Sequence, residues 1–495
     1  MNYSQARLLF YWALILSLPL KLVLAQTIPL TGDEAYFVVW GDNLAWGYYD
    51  HPPLIGWLIH LCLKLHDSQL FARLPSILTA YILVWGVYSI LKDQDRTRAL
   101  LAASILLLTP VYLIGIIVTT DIPLILTMFL SVLTIYHAEQ RNKIFLFVLA
   151  GFFLGLAFLS KYFAMLLLLT YLAYFLPVNR KNIRHLALIL MGFIPFVIFH
   201  LYWNYTHCWT NIMFNFINRA QDPQINLLGP VGLIGAVIWI LSPMIVFHMF
   251  KYRSEITLGA KNNNFMIFVF AGFLPLTVFL CASLFYSIGL HWIFGFLPFL
   301  YLLHAQIPYK SMSFCYKSMA GYAAIHIIVI ITILLLPLNV LKDREELYRE
   351  AVFYLRPAEV AQALTPFNAD HYTTSAYGRS AILSFYSKHY WGVLGSGSKY
   401  GREDDRITDF RKLDNKNILF FSIENKLDMK HLGLFFQSVE TNHIQVNDAK
   451  FTIALGYKFD YKKYRQNVLT EIRKNYYDIP NFLPHSGCFF TKRYF

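Results

Sequence analysis

The chain has 495 residues, of which 57% are hydrophobic and 14% charged, against roughly 25% charged in soluble globular proteins. That deficit, spread over many long apolar runs, excludes a soluble globular chain and predicts a polytopic membrane protein. The 42 lysines and arginines against 29 acids give a net charge of +13; in this setting the excess belongs to cytoplasmic loops and does not point to nucleic acid.

In chain order, apolar runs of spanning length fall near 8–25, 71–91, 99–118, 122–138, 144–160, 162–178, 185–203, 229–250, 264–283, 292–309 and 318–338, about eleven helices. The first resembles a leader, with Val23-Leu24-Ala25 as a loose cleavage site. Lys21 late in the run and the spans that follow argue for a retained span. The 144–178 stretch reads as one long broken helix or two short ones around Ser160-Lys161. Alternate loops carry the bases Lys92, Arg96 and Arg98; Arg141 and Lys143; Arg180, Lys181 and Arg184; Lys251, Arg253 and Lys261; Lys310 and Lys317. The other loops hold few, which sets the N-terminus in the cytoplasm, the C-terminus outside, and an odd number of spans. Residues 27–70 form a long first outer loop with two amphipathic pieces, 35–46 and 53–65. Trp40, Trp46, Tyr48, Tyr49 and Trp57 are its expected interfacial anchors. The spans and this loop make a membrane region over 1–340. Residues 341–495 carry no spanning run and read as a small extracytoplasmic α/β domain, with strands at 418–423 and 451–455 and helices around 344–364 and 378–388.

Chemistry concentrates on the outer side. Asp33-Glu34 follow the first span, and ionisable groups beside lipid mark a functional site by default. The pair fits a helix N-cap on one side and a catalytic base or metal ligand on the other. Asp121, in Thr119-Thr120-Asp121-Ile122-Pro123, closes a short outer turn and fits a cap or a second acidic position. Lys161 interrupts an apolar stretch, either snorkelling to the interface or holding a phosphate as a point charge. Asn204, within Trp203-Asn204-Tyr205-Thr206-His207-Cys208-Trp209, suits a sugar site or an aromatic belt; Arg219 suits an anion. His291-Trp292 opens a span and fits a structural or a binding role. In the C-terminal domain His371-Tyr372, Tyr377-Gly378-Arg379 and Tyr386 read as core packing. The five cysteines are scattered without metal-type spacing and read as reduced or inert. No Walker, G-x-G-x-x-G or H-E-x-x-H motif occurs, so nucleotide-driven transport and zincin-type proteolysis lose support.

Thr31-Gly32-Asp33-Glu34-Ala35-Tyr36 together with Gly47-Tyr48-Tyr49-Asp50-His51-Pro52-Pro53-Leu54 resembles the first outer loop of bacterial GT-C glycosyltransferases. The likeness is to the dolichyl-phosphate-mannose–protein mannosyltransferase-like group, which includes lipid A aminoarabinose and galacturonic acid transferases. Leu159-Ser160-Lys161-Tyr162, the stretch from Trp203 to Arg219 and Leu290-His291-Trp292 resemble further signatures of its galacturonosyl branch. The resemblance implies a GT-C membrane enzyme of the bacterial inner membrane. It would move a sugar from a polyprenyl phosphate to lipid A or another envelope acceptor, at the periplasmic face, with no nucleotide sugar. Asp33 would be the catalytic carboxylate with Glu34 beside it, and Asp121 the second acid. Tyr49, His51, Lys161, Asn204, Arg219 and His291 would line the donor and acceptor positions. No cofactor is certain; a divalent ion, if bound, would use Asp33 and Asp121. The alternatives are a protein O-mannosyltransferase-like enzyme, a flippase for lipid-linked sugars, or a non-catalytic scaffold.

Overall fold

A computed structural model describes residues 1–176, 183–218, 225–424 and 432–495. By compactness the chain divides into two units. One comprises Met1–Ala25, Arg73–Phe199 and Asp222–Leu334; the other comprises Gln26–Ala72, His200–Gln221 and Leu335–Phe495. The long loop after the first span therefore groups with the C-terminal region, as does the stretch from His200.

The first unit is helical, and most apolar runs of the sequence lie on helix; the 99–118 run is helical only as Arg96–Leu108 and Pro110–Leu113 and is irregular beyond. Among the described residues, Tyr3–Thr27, Leu74–Leu91, Asp121–Arg141, Ile183–Thr206 and Tyr309–Leu335 are long and apolar enough to cross a membrane. Gly229–Leu241 and Pro243–Lys251 form a pair bent by 99°. At that bend Ser242 has φ +76° and its hydroxyl accepts the Ile245 N–H, so it ends one helix and caps the next. The other runs are shorter helices, among them Arg96–Leu108, Phe145–Phe158, Ala164–Phe175 and Met266–Ala282. The stretch around Ser160-Lys161 is thus two short helices with an irregular break between them. Glycine sets the tightest packing: a Cβ on Gly151 would fall 1.9 Å from the Ile189 carbonyl oxygen, and one on Gly192 2.2 Å from that of Val148. Backbone-to-backbone approach of this kind replaces the hydrophobic drive that helices lack in lipid. Cross-helix hydroxyl bonds add to it, Thr109 to Tyr301 at 2.7 Å and Ser131 with Tyr171 at 2.6 Å.

Among the described residues the second unit holds a five-stranded sheet built from β1 (His371–Thr374), β2 (Trp391–Val393), β3 (Ile418–Ser422), β4 (Phe436–Val446) and β5 (Ala449–Phe459). The order is β2-β1-β3-β5-β4, parallel among the first three and antiparallel from β3 onward. The central strand β3 is buried at every position, hence its unbroken apolar run. The β4–β5 hairpin turns on Asn447-Asp448, both at positive φ, as a primed turn requires. The expected strands at 418–423 and 451–455 are β3 and β5. The expected helices are Glu345–Leu355, Pro357–Leu364 and Tyr377–Ser387.

Two expectations are corrected in this unit. The helix Gly32–Asp42 is buried from Glu34 to Gly41, so it is no interfacial helix. Trp40 and Tyr48 are fully buried and stack at 4.3 Å, with the Tyr48 hydroxyl donating to the Trp40 carbonyl at 2.9 Å. An aromatic-rich helix beside a membrane can face protein as readily as lipid; of the expected anchors only Trp46 is well exposed, at 63%. The second correction concerns the cysteines: Cys208 and Cys488 are disulfide-bonded across a separation of 280 residues. Their bridge lies in the core of this unit beside Tyr49, Phe214, Tyr477 and Phe490. A link that spans so much chain leaves no spacing pattern to read.

Candidate active site

In the first unit, three motifs distant in sequence meet. Asp121 opens the helix Asp121–Arg141, where the helix dipole favours a carboxylate, and its N–H donates to the Thr119 hydroxyl at 3.3 Å. Lys161 sits in the break between Phe145–Phe158 and Ala164–Phe175. That break is pinned where the Ser160 hydroxyl donates to the Thr120 carbonyl. Lys161 Nζ reaches both Asp121 oxygens, at 2.8 and 3.0 Å. The two side chains are only 8% and 4% exposed. Phe163 and Trp292 flank the ammonium at 5.2 and 6.0 Å from their ring centres. His291, half exposed, places Nε2 3.8 Å from Asp121 Oδ2. This is a charged pair held inside an apolar helical unit, with an accessible imidazole at its edge.

In the second unit, Thr31 and Glu34 form a capping box. Glu34 N–H donates to the Thr31 hydroxyl at 3.3 Å, and the Thr31 N–H donates to Glu34 Oε2 at 3.0 Å. Glu34 is fully buried, while Asp33 beside it is exposed. Asp33 Oδ1 accepts the Tyr377 hydroxyl at 2.8 Å. Tyr49 is a core residue, its ring 5.5 Å from Phe214 and its N–H donating to Glu403 Oε2 at 2.9 Å. His51 is partly buried, 6.5 Å ring to ring from Trp40. Asn204 is buried and ties the turn after Ile183–Thr206: its amide donates to the His200 carbonyl at 3.0 Å, and its oxygen accepts the Ile212 N–H at 3.3 Å. Arg219 lies outside the described residues. The expected site residues therefore fall into two sets: Asp121, Lys161 and His291 in the first unit, and Asp33, Glu34, Tyr49, His51 and Asn204 in the second. As for a divalent ion, both Asp121 oxygens are engaged by an ammonium. Among the described residues no three His, Cys, Asp or Glu side chains gather as a metal site. The donor set does not fit a resident ion.

Sequence reasoning passed over Asp50 and the run Arg402-Glu403-Asp404-Asp405-Arg406. That run looks like a solvated charged surface, yet Arg402 to Asp405 are all buried. Arg402 grips Asp405 with two bonds of 2.8 and 3.2 Å, Arg406 pairs with Glu403, and the Tyr477 hydroxyl donates to Asp405 at 2.7 Å. The signal available was the i,i+3 spacing of opposite charges. Asp50 is buried and accepts the Gly401 N–H at 3.2 Å. Burial first, then the charges of Glu403 and Asp33, push its carboxyl up to about 7, against the bonds from Gly401 and Tyr36.

A raised acid binds its proton in the folded chain at a pH where the unfolded chain has lost it. The Asp50 contribution therefore weakens stability as pH rises from the ordinary carboxylate range to about 7. Asp50→Asn keeps an acceptor for the Gly401 N–H and removes the buried charge. We expect a higher melting temperature than wild type at pH 8, with the gap closing by pH 4. Thermal melts at the two pH values check this.

Comparisons with known proteins follow the same lines. Residues 50–203, which include Asp50, His51, Asp121 and Lys161, match the family described as dolichyl-phosphate-mannose-protein mannosyltransferase. The lipid A galacturonosyltransferase RgtD of Rhizobium johnstonii is 25% identical over 244 residues, covering 45% of this chain and 50% of that protein. The chain thus spans about half the length of the curated relative it matches. The crystal structure of ArnT from Cupriavidus metallidurans bound to undecaprenyl phosphate superposes with a TM-score of 0.61 at 15% identity, over 90% of this chain and 97% of that one. The apo form of ArnT gives 0.59 at the same identity and coverage. These findings bear out the family resemblance read from the sequence, and the fold is that of the ArnT structures.

Proposed function

From a multi-pass membrane chain with the GT-C fold, we propose a glycosyltransferase that takes a sugar from undecaprenyl phosphate or a similar polyprenyl phosphate and transfers it, with inversion, to lipid A or another envelope acceptor. The observation that carries this reading is the buried Lys161–Asp121 pair with half-exposed His291 at its edge. Ionisable groups are kept in an apolar helical unit where chemistry needs them. The donor chemistry follows RgtD, named for lipid A, and ArnT, which holds undecaprenyl phosphate.

In the proposed step an acceptor oxygen attacks the anomeric carbon, and the bond from that carbon to the phosphate oxygen breaks, its electron pair leaving on the phosphate. Lys161 supplies positive charge, and Lys161 and His291 supply N–H donors, for the leaving phosphate. Asp33, exposed at a helix start, takes the proton when the acceptor is a hydroxyl; when the acceptor is already an anionic phosphate, it orients the acceptor. The disulfide Cys208–Cys488 lies in the same unit as Asp33 and favours a periplasmic position, since disulfides persist in oxidising compartments. Cytoplasmic basic loops then orient the spans across the inner membrane.

The test is mass spectrometry of lipid A and total envelope glycans from a deletion strain. Loss of one sugar mass from lipid A is expected. An unchanged lipid A with another glycan shortened would move the acceptor elsewhere. Donor trapped on the cytoplasmic leaflet would replace the transferase with a transporter.

A further inference from the structure

We propose that Tyr377 is a positioning residue for Asp33, so that the C-terminal region completes the acceptor side of the reaction rather than merely accompanying it. This rests on the reading of Asp33 as the carboxylate that meets the acceptor.

The contact is built by glycine. Tyr377 opens the helix Tyr377–Ser387 immediately after β1, and Asp33 stands in the first turn of Gly32–Asp42. The two helix starts touch through Gly32 and Gly378: a Cβ on Gly32 would lie 3.2 Å from the Gly378 Cα, and one on Gly378 3.4 Å from the Gly32 Cα. A methyl on Gly32 would ask the facing backbone to give by a few tenths of an ångström, and one on Gly378 would already be in van der Waals contact with it, so the two glycines let the turns meet this closely. Each glycine has one of the interacting residues as its chain neighbour, so the approach of the backbones delivers the Tyr377 hydroxyl to Asp33 Oδ1 at 2.8 Å.

The ring is held as firmly as the backbone. Tyr36 packs edge-on at 4.8 Å between ring centres. On another side lies Gly401 at φ +67°, where an added Cβ would come within 2.0 Å of the ring. The same Gly401 donates its N–H to Asp50, so the phenol is fixed by groups that are themselves fixed. Burial, and then the charge of Asp33, raise the Tyr377 phenol well above its ordinary value. It therefore stays protonated and stays a donor throughout the physiological range.

One oxygen of the exposed Asp33 is thus tied to the protein, which sets the plane of the carboxylate and leaves Oδ2 to address a substrate oxygen. This is the base-and-orienter relation found where a catalytic group must be held in one rotamer. A hydroxyl used only to hold two helices together would contribute modestly to stability and nothing specific to turnover.

Tyr377→Phe separates the two roles, because it keeps the ring packing and removes only the O–H. In the full-length protein we expect transfer to fall by about 10²-fold, the order associated with losing reactive alignment. Transfer is scored as the glycosylated fraction of envelope product in the deletion strain. Undecaprenyl phosphate binding to the purified variant and its melting temperature are expected to stay at wild-type levels. Incorporating 3-fluorotyrosine at 377, which restores a hydroxyl donor, is expected to restore transfer. Asp33→Asn is run beside it. An inactive Asp33→Asn with a fully active Tyr377→Phe overturns this inference alone. A fully active Asp33→Asn removes the reading on which it rests. Loss of transfer in Tyr377→Phe accompanied by a matching loss of melting temperature, or not rescued by 3-fluorotyrosine, also overturns it.

Discussion

Asp33→Asn is expected to lower sugar transfer by about 10²- to 10⁴-fold, the range measured when a general base is removed, with the fold intact. The substitution is nearly isosteric, and the asparagine oxygen can still accept the Tyr377 hydroxyl that Asp33 Oδ1 accepts at 2.8 Å. Asp33 is exposed, so no buried charge is lost or stranded. What disappears is the anion. Its neighbour gives the contrast. Glu34 is fully buried and spends Oε2 on the Thr31 N–H and hydroxyl, and glutamine serves in the same capping box. Glu34→Gln should therefore transfer sugar at close to the wild-type rate. Two adjacent acids, one proposed to carry the chemistry and one holding a helix start, make the experiment internally controlled. Turnover at matched expression and thermal melts on both variants read it out. Equal losses in the two would mean that the helix start, and not the Asp33 carboxylate, is what transfer depends on.

The same pair shows what the sequence could and could not disclose. Thr31-Gly32-Asp33-Glu34 reads equally as a cap and as a catalytic pair, because both uses want acids at a helix start; only burial assigns Glu34 to the cap. Helices were legible because a 20-residue apolar run has few other fates, and β3 and β5 because their runs are continuous and apolar. β1 and β2 span only four and three residues. β4 is exposed at Gln437, Glu440 and Asn442, so neither composition nor length announced these three strands. Asp121, Lys161 and His291 stood out as polar interruptions of apolar chain, and they meet in space. Tyr377 was singled out but read as core packing, because an aromatic in a mixed domain is ordinary, and its contact with Asp33 depends on Gly32 and Gly378, 346 positions apart in the chain. The buried run Arg402 to Asp405 was hidden for the opposite reason: charge in a sequence reads as surface, and only the pairing of each side chain makes burial tolerable. Long-range partners of this kind, the Cys208–Cys488 bridge included, leave no local pattern.

Lys161→Met is expected to destabilise the protein by about 3–5 kcal/mol, the cost of leaving one member of a buried ion pair uncompensated. The geometry is what makes the effect large. Lys161 Nζ bonds both Asp121 oxygens, and the Asp121 side chain is 4% exposed. Water cannot replace the ammonium, and His291 at 3.8 Å from one oxygen compensates only in part. Low activity in this variant would therefore prove little by itself. The informative molecule is the double substitution Lys161→Met with Asp121→Leu, which removes both charges and returns the site to the apolar character of its surroundings. Replacing a buried pair by apolar side chains is often neutral or stabilising, so melting temperature should recover most of what the single change lost. Transfer should not recover, because the positive charge proposed for the leaving phosphate is gone. If the double variant regained both stability and transfer, the pair would be a structural clamp between a helix start and a broken helix. Regained stability without transfer makes it part of the chemistry, and no single substitution at either position can make that distinction.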